Sequence, residues 1–284
     1  MQVETMATPC IAHFGTTIIE SAPPAGIDQQ DVPVEGQLAD TLKFLELFGF
    51  EPLMENFYPG MGRQYIWRRG EPTDVDYIEK DNFTSYRAQR RPESDGPREG
   101  DTLFRLPHRD PVGVYRSWRD HGLGAPLSSE DEAAFLAGEQ QWLLLCGPDG
   151  QIYELGPTQP SVCENHRIYV WTADERVDEV AAAYGEHFGL QALAAEPFHN
   201  LGSVRLLRRE APGVSLGLLY GAAEGVQSRW TDDIFVEAGY SHFRLGALSM
   251  PTTLNDSREA FPTAGDVGFI YFQDSYLELV QAPQ

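Results

Sequence analysis

The sequence is poor in positive charge and in cysteine, and it has no long apolar run. Its 284 residues carry 21 Lys and Arg against 43 Asp and Glu, a formal net charge of −22. Nucleic acids and anionic membrane surfaces are held by basic patches, so neither is expected as a partner. No stretch of about 18 apolar residues occurs, so no membrane-spanning helix is expected. The start, Met1-Gln-Val-Glu-Thr-Met6, has neither a basic leader nor an apolar segment behind it. No signal peptide is read there, and a cytoplasmic location is expected. Cys10, Cys146 and Cys163 are odd in number and show no CxxC spacing, which suits reduced thiols better than a disulfide frame. GxGxxG, P-loop, GxSxG and HExxH patterns are all missing, so the chemistries tied to them have no support.

What is present is ordinary globular material. Hydrophobic residues make up 42% and aromatics 11%, and the length allows two domains. Cys10–Ile19 reads as a strand rich in β-branched residues. Gln37–Phe48 repeats Leu38, Leu42, Leu45 and Phe48 at helical spacing and stops at Gly49. Strands follow at Glu51–Phe57 and Gln64–Arg68. Residues 70–100 read as a polar surface excursion, with a strand at Asp76–Tyr86 as an option. Thr102–Leu106 is a strand, Asp110–His121 a helix, and Trp142–Cys146 and Gln151–Leu155 strands around a Pro-Asp-Gly turn. Residues 156–164 form a linker. The second half begins again with a strand at His166–Thr172 and a helix at Arg176–Phe188 stopped by Gly189. Strands are expected at Gln191–Glu196, Ser203–Arg208, Val214–Tyr220 and Ser241–Ala247. Asn255–Ala264 reads as a helical turn, and Val267–Val280 as one last strand.

That last strand is apolar except for Glu278, which alternation sets on the side of Tyr276 and Val280, opposite Leu277 and Leu279. A carboxylate there must reach solvent or find a cation. The halves also repeat one another. Phe44-Leu-Glu-Leu-Phe-Gly-Phe-Glu51 resembles Tyr184-Gly-Glu-His-Phe-Gly-Leu-Gln191. Leu103-Phe-Arg-Leu106 resembles His242-Phe-Arg-Leu245, and Gln151-Ile-Tyr-Glu-Leu155 resembles Ser275-Tyr-Leu-Glu-Leu279. Strand, helix, Gly and further strands recur about four times, which points to duplication of one compact unit.

In this order of elements the chain resembles the vicinal oxygen chelate superfamily: glyoxalase I, fosfomycin and bleomycin resistance proteins, methylmalonyl-CoA epimerase and type I extradiol dioxygenases. The resemblance spans roughly residues 10–281. It implies an α+β fold of four βαβββ modules, paired into two glyoxalase-like domains with curled mixed sheets, at 1–158 and 159–284. It also implies metal ligands on the first strand of one module and the last strand of its partner. Carried onto this chain, those slots hold His166, His242 and Glu278, with His13 as the alternative to His166. Two imidazoles and one carboxylate leave three positions open on an octahedral ion. In the first half His13 and Glu154 fall in the equivalent slots, but Leu103 stands where His242 would be. The N-terminal domain is therefore expected to lack a full site.

The reading that follows is a metal-dependent enzyme, with Fe(II) favoured and Mn, Ni or Zn as options. It would be an extradiol-like dioxygenase acting on an aromatic or vicinal-oxygen small molecule. Tyr271 would orient the substrate, as a tyrosine of this region does in extradiol enzymes. Those enzymes also carry a catalytic histidine shortly before the fourth module; here Gly225-Val-Gln-Ser-Arg-Trp-Thr231 has none. Glyoxalase, epimerase or lyase chemistry without O₂ is the alternative, as is a non-catalytic protein that binds a metabolite or antibiotic in an aromatic cup. The expected partners are a small-molecule substrate and a second copy of the chain as a homodimer. His199 and the Arg68-Arg69 pair read as surface.

Overall fold

The computed structural model describes residues 12–20, 33–58, 62–71, 77–89, 98–160, 167–208, 215–221, 241–247, 267–273 and 275–281, with residues 22, 25–28, 31, 165 and 258–259 between them. The first module is β1 (Ala12–Ile19), α1 (Gly36–Phe48), β2 (Glu51–Tyr58), β3 (Gly62–Arg69) and β4 (Ile78–Ser85). The second is β5 (Thr102–His108), α2 (Pro111–Asp120), β6 (Ala125–Pro126), α3 (Ser129–Ala137), β7 (Leu143–Cys146) and β8 (Ile152–Pro157). The third is β9 (Arg167–Trp171), α4 (Val177–Phe188), β10 (Gln191–Pro197), β11 (Ser203–Arg208) and β12 (Ser215–Tyr220). The fourth is β13 (Ser241–Ala247), β14 (Arg258–Glu259), β15 (Val267–Phe272) and β16 (Ser275–Gln281). The expected α+β arrangement of four modules is what the chain adopts. Among the described helices, none is long and apolar enough to cross a membrane.

Local chemistry sets the helix ends. Gly49 and Gly189 close α1 and α4 in the left-handed conformation, at φ 92° and 68°. Asp110 caps α2 by accepting from Gly113 N at 2.9 Å, with Pro111 in the first turn. Ser128 caps α3 by accepting from Asp131 N.

Among the described residues, two open sheets of eight strands result. Their orders are β14-β15-β16-β13-β1-β4-β3-β2 and β10-β11-β12-β9-β5-β8-β7-β6. Each is centred on an antiparallel pair of first strands, β1 with β13 and β5 with β9. The first sheet thus joins the first and fourth modules, and the second joins the second and third. The expected boundary at 158/159 does not separate the sheets, since each draws strands from both sides of it. A short connection, 158–166, leads from β8 to β9, so the middle modules pair as sequence neighbours do. The first module then pairs with the last.

The sheets pack back to back. One core includes Phe14, Ile18, Phe243 and Leu277 from the first sheet, Phe104, Tyr153, Leu155 and Ile168 from the second, and the inward faces of α1, α2 and α4. At its centre the rings of Phe14 and Phe104 stack with centroids 4.0 Å apart. Phe14 pairs with Phe243 across β1/β13, and Phe104 pairs with Ile168 across β5/β9, so the stack joins the midpoints of both sheets. Beside it lies a buried polar bridge. Lys80 Nζ on β4 donates to Asp149 Oδ2 at 2.7 Å and contacts Tyr153 OH at 2.5 Å and Thr16 Oγ1 at 3.2 Å. Burial pulls the Lys80 pKa below its ordinary value, and the Asp149 charge opposes that pull.

Several expectations change. Within the segment read as a surface excursion, the optional strand at Asp76–Tyr86 is β4, which pairs with both β1 and β3 and is buried at Lys80, Asn82 and Thr84. Its charged residues hide that burial, because Lys80 is satisfied by the other sheet rather than by water. Val267–Val280 is a hairpin, not one strand. Phe272 pairs with Ser275 around a turn in which Gln273 takes φ 48°. In the segment 255–264, Arg258–Glu259 are extended and pair with β15; the rest lies outside the described residues. Helix α3 was not anticipated, and Arg69 is buried over the Phe48 ring at 4.2 Å.

Replacing Lys80 by Met leaves Asp149 charged and buried, and is expected to cost about 3–5 kcal/mol of stability. A Lys80→Met/Asp149→Leu double variant should recover part of that loss. Urea unfolding at neutral pH measures both; equal loss in single and double variants would show that the ion pair is not the source.

Candidate metal centre

The core takes one face of each sheet, so the opposite, outer face is where a site can lie. On β1, Phe14 and Ile18 belong to the core, which sets positions 13, 15 and 17 on the outer face. Phe243 and Leu277 do the same for β13 and β16, placing His242, Tyr276 and Glu278 outward by position. The register confirms the alignment. Gly15 is opposite His242, His242 is opposite Tyr276, and Arg244 is opposite Glu278. The hairpin adds Tyr271, which pairs with Tyr276, and Phe269, which pairs with Glu278. An unbroken strand would have set Tyr271 and Glu278 on opposite faces; the turn sets both on one.

His13, His242 and Glu278 therefore lie on three adjacent strands, β1, β13 and β16, at positions on one face. Their side chains lie outside the described residues, as does that of Tyr271. His166 itself also lies outside them. The strand that follows it in sequence, β9, belongs to the second sheet, while β13 and β16 belong to the first.

The duplication supplies a rule for the slots. In each module the first slot is the residue just before the central pair of its sheet. The second slot, on the module's last strand, faces the residue just after that pair. In the first sheet the central pair is Phe14 and Phe243, and the slots hold His13, Asp81, His242 and Glu278, since Asp81 pairs with Gly15 and Glu278 with Arg244. In the second the central pair is Phe104 and Ile168, and the slots hold Leu103, Glu154, Arg167 and Gly217. One sheet has two imidazoles and two carboxylates; the other has a single carboxylate.

Asp81 was missed in the sequence because the polar run around it reads as surface, even with a strand allowed at Asp76–Tyr86. It is buried, at 5% exposure, and Gln64 Nε2 donates to its Oδ2 at 3.4 Å. Ile66, its partner on β3, and Phe83, two residues along β4, sit on the same face. Among the described residues no three His, Cys, Asp or Glu side chains come together.

The second sheet uses its lone carboxylate differently. Glu154 Oε2 accepts from Arg105 Nε at 2.6 Å and from Tyr169 OH at 2.9 Å, and Oε1 meets His199 Nε2 at 3.0 Å. The Arg105 guanidinium lies over the Trp142 ring at 3.9 Å. Phe198, at 4.5 Å from Tyr169, packs with Leu103, Trp171, Val204 and Leu219 over the same outer face. His199 is thus drawn into the sheet rather than lying free on the surface, with its backbone at φ 46°. Burial by itself would raise the Glu154 pKa. The Arg105 charge and the bonds from His199 and Arg105 overcome it and hold the carboxyl at about 2. Burial, with the Glu154 charge behind it, pushes Tyr169 well above its ordinary value. The second outer face is filled by its own side chains.

No family model matches the chain, and no curated protein matches it in sequence. In structure it is similar to glyoxalase I from Zea mays, at 13% identity and a TM-score of 0.56, over 95% of this chain and 91% of that one. Two substituted forms of the Zea mays enzyme give TM-scores of 0.56 and 0.53 at the same identity, each over 95% of this chain, with 92% and 91% of theirs covered. At this identity the likeness is one of fold.

The depressed Glu154 pKa makes a prediction about acid stability. The folded state binds fewer protons than the unfolded chain between about 2 and the ordinary Glu value of about 4.3. The contribution is therefore complete above about 4.3 and is lost as pH falls toward about 2. Glu154→Gln should lower stability at neutral pH and flatten the fall between pH 5 and 3. Urea midpoints across that range check it; parallel curves for both proteins would contradict it.

Proposed function

We propose that this chain, which has the fold of the vicinal oxygen chelate superfamily, is a metal-dependent enzyme acting on a small molecule at the outer face of its first sheet. The observation that carries the reading is the contrast between the two sheets. The same four slots hold His13, Asp81, His242 and Glu278 in one and a single carboxylate in the other. The donor set fits a divalent ion of borderline hardness such as Zn, Ni, Mn or Fe(II). His13 takes the part that the family resemblance first gave to His166, because β1 lies beside β13 and β9 does not.

His13, Asp81, His242 and Glu278 would hold the ion, and it would be left able to take oxygens of one substrate. The ion would supply Lewis acidity toward a substrate oxygen. The chain's own residues do the rest. Asp81 and Glu278 are the groups able to accept a proton at a carboxylate oxygen. Ile66 and Phe83 give an apolar wall that excludes water. Tyr271 is placed by the hairpin on the face of Glu278, where it orients the substrate.

The reaction class that fits best is proton transfer without O₂, of the glyoxalase or epimerase kind. A second carboxylate departs from the two-His, one-carboxylate set of non-haem Fe(II) oxygenases, and the segment 225–231 has no histidine. Extradiol-like dioxygenation is the second reading. The subset His13, His242 and Glu278 favours it if Asp81 stays with Gln64.

Metal analysis after reconstitution should give one equivalent per chain. His13→Ala and His242→Ala should each lower retention at least tenfold, and His166→Ala should leave it unchanged. Two equivalents, none, or the reverse pattern of the histidines would overturn the reading. Turnover of a vicinal-oxygen substrate should be equally fast under nitrogen and air; dependence on O₂ would select the dioxygenase.

A further inference from the structure

We infer that Gln64 and Asn56 are positioning residues, a hydrogen-bonded relay along the wall of the first sheet that fixes the Asp81 carboxylate for the ion. The inference rests on the metal reading above and adds two residues to it. Strands β2, β3 and β4 are neighbours, and Asn56 pairs with Gln64 while Gln64 pairs with Phe83. Asn56, Gln64 and Asp81 therefore share the outer face. Asn56 Nδ2 donates to Gln64 Oε1 at 3.2 Å, and Gln64 Nε2 donates to Asp81 Oδ2 at 3.4 Å.

The direction of the chain is what gives it a role. A glutamine amide has one accepting end and one donating end. With the amide turned round, Oε1 would face the Asp81 oxygen, acceptor against acceptor. The bond from Asn56 to Oε1 opposes that turn, since Asn56 would have to turn as well, and so helps keep the donor on the carboxylate. Gln64 is 9% exposed, so its amide needs such partners. Asn56 is half-buried on the edge strand, at the rim of the same face.

The second sheet serves as an internal control. There the slot equivalent to Asp81 is Gly217, which pairs with Leu206 as Asp81 pairs with Ile66. Two residues before Leu206 stands Val204, at the place of Gln64, and it is 1% exposed among apolar neighbours. Between the first and third modules the amide is absent where the carboxylate is absent. Beside Glu154 and Glu278 the same place holds Trp142 and Val267, so the amide is particular to Asp81. Partners of this kind set the orientation of metal-binding carboxylates elsewhere, and losing one weakens affinity by about 10–100-fold.

The test is Co(II) titration of the chelator-treated full chain, read by visible absorption and by equilibrium dialysis, with thermal midpoints of the metal-free proteins alongside. Gln64→Leu should weaken Co(II) binding by about 10–100-fold and change the absorption spectrum. Asn56→Ala should weaken it less and leave the metal-free midpoint near wild type. The double variant should match Gln64→Leu alone, because both residues act through one bond to Asp81. Wild-type binding in Gln64→Leu, or multiplied losses in the double variant, would overturn the relay. If Gln64→Leu does not fold, unchanged Co(II) affinity in Asn56→Ala overturns it alone. A wild-type chain that binds no Co(II) overturns the metal reading itself, a result distinct from wild-type binding that both variants retain.

Discussion

The stack of Phe14 on Phe104 is the constraint from which the rest of the molecule follows. Each ring sits at the central strand pair of its own sheet, so their contact turns the two midpoints toward one another. Aromatic stacking of this kind adds roughly 0.5–1.5 kcal/mol to the area it buries. Its larger effect is geometric. Once position 14 faces inward, alternation sends positions 13 and 15 outward, and the same holds for their partners on β13 and β16. A one-residue slip of β1 would bury a histidine and expose a phenylalanine. Thr16 on β1 opposes that slip, because its hydroxyl donates to Asp149 and accepts from Lys80 in this register.

Duplication gave four equivalent modules, and the sheets then diverged in what they do with equivalent positions. In the second, Arg105 faces Glu154 across β5/β8 and neutralises it, Tyr169 and His199 complete its hydrogen bonds, and aromatic side chains cover the result. The guanidinium supplies the positive charge. In the first, the slot residues are two histidines and two carboxylates, and a polar relay replaces the apolar packing of the second. A buried carboxylate always needs positive charge or donors; the two sheets meet that need by different means. One means is a fixed side chain. The other, on the function proposed above, would be an ion from solution.

Elements with a strong periodic pattern were legible in the sequence. Helices α1 and α4, their glycine stops, and most strands follow from spacing and caps, and the repeats at Leu103–Leu106 and His242–Leu245 pointed to the four-module fold. Strand β4 was legible as the option at Asp76–Tyr86, but its burial was not, because Lys80, Asp81 and Asn82 look solvated until the other sheet is in place. The hairpin of β15 and β16 was hidden because Gln273 and Asp274 carry no glycine or proline to mark the turn. His199 looked like a loop residue, and only Glu154 on a distant strand explains where it goes.

The sequence by itself determined the composition of the candidate site: histidines before Phe14 and Phe243, and a glutamate between Leu277 and Leu279. Which of those residues stand together was decided only by the tertiary structure. Strand pairing depends on contacts made between segments more than two hundred residues apart, and no local pattern records them. Because β5 pairs with β9 across a short connection, β1 is left to pair with β13. That closure joins the first module to the last, sets His13 beside the strands of His242 and Glu278, and adds Asp81 from a strand whose sequence gave no sign of being buried.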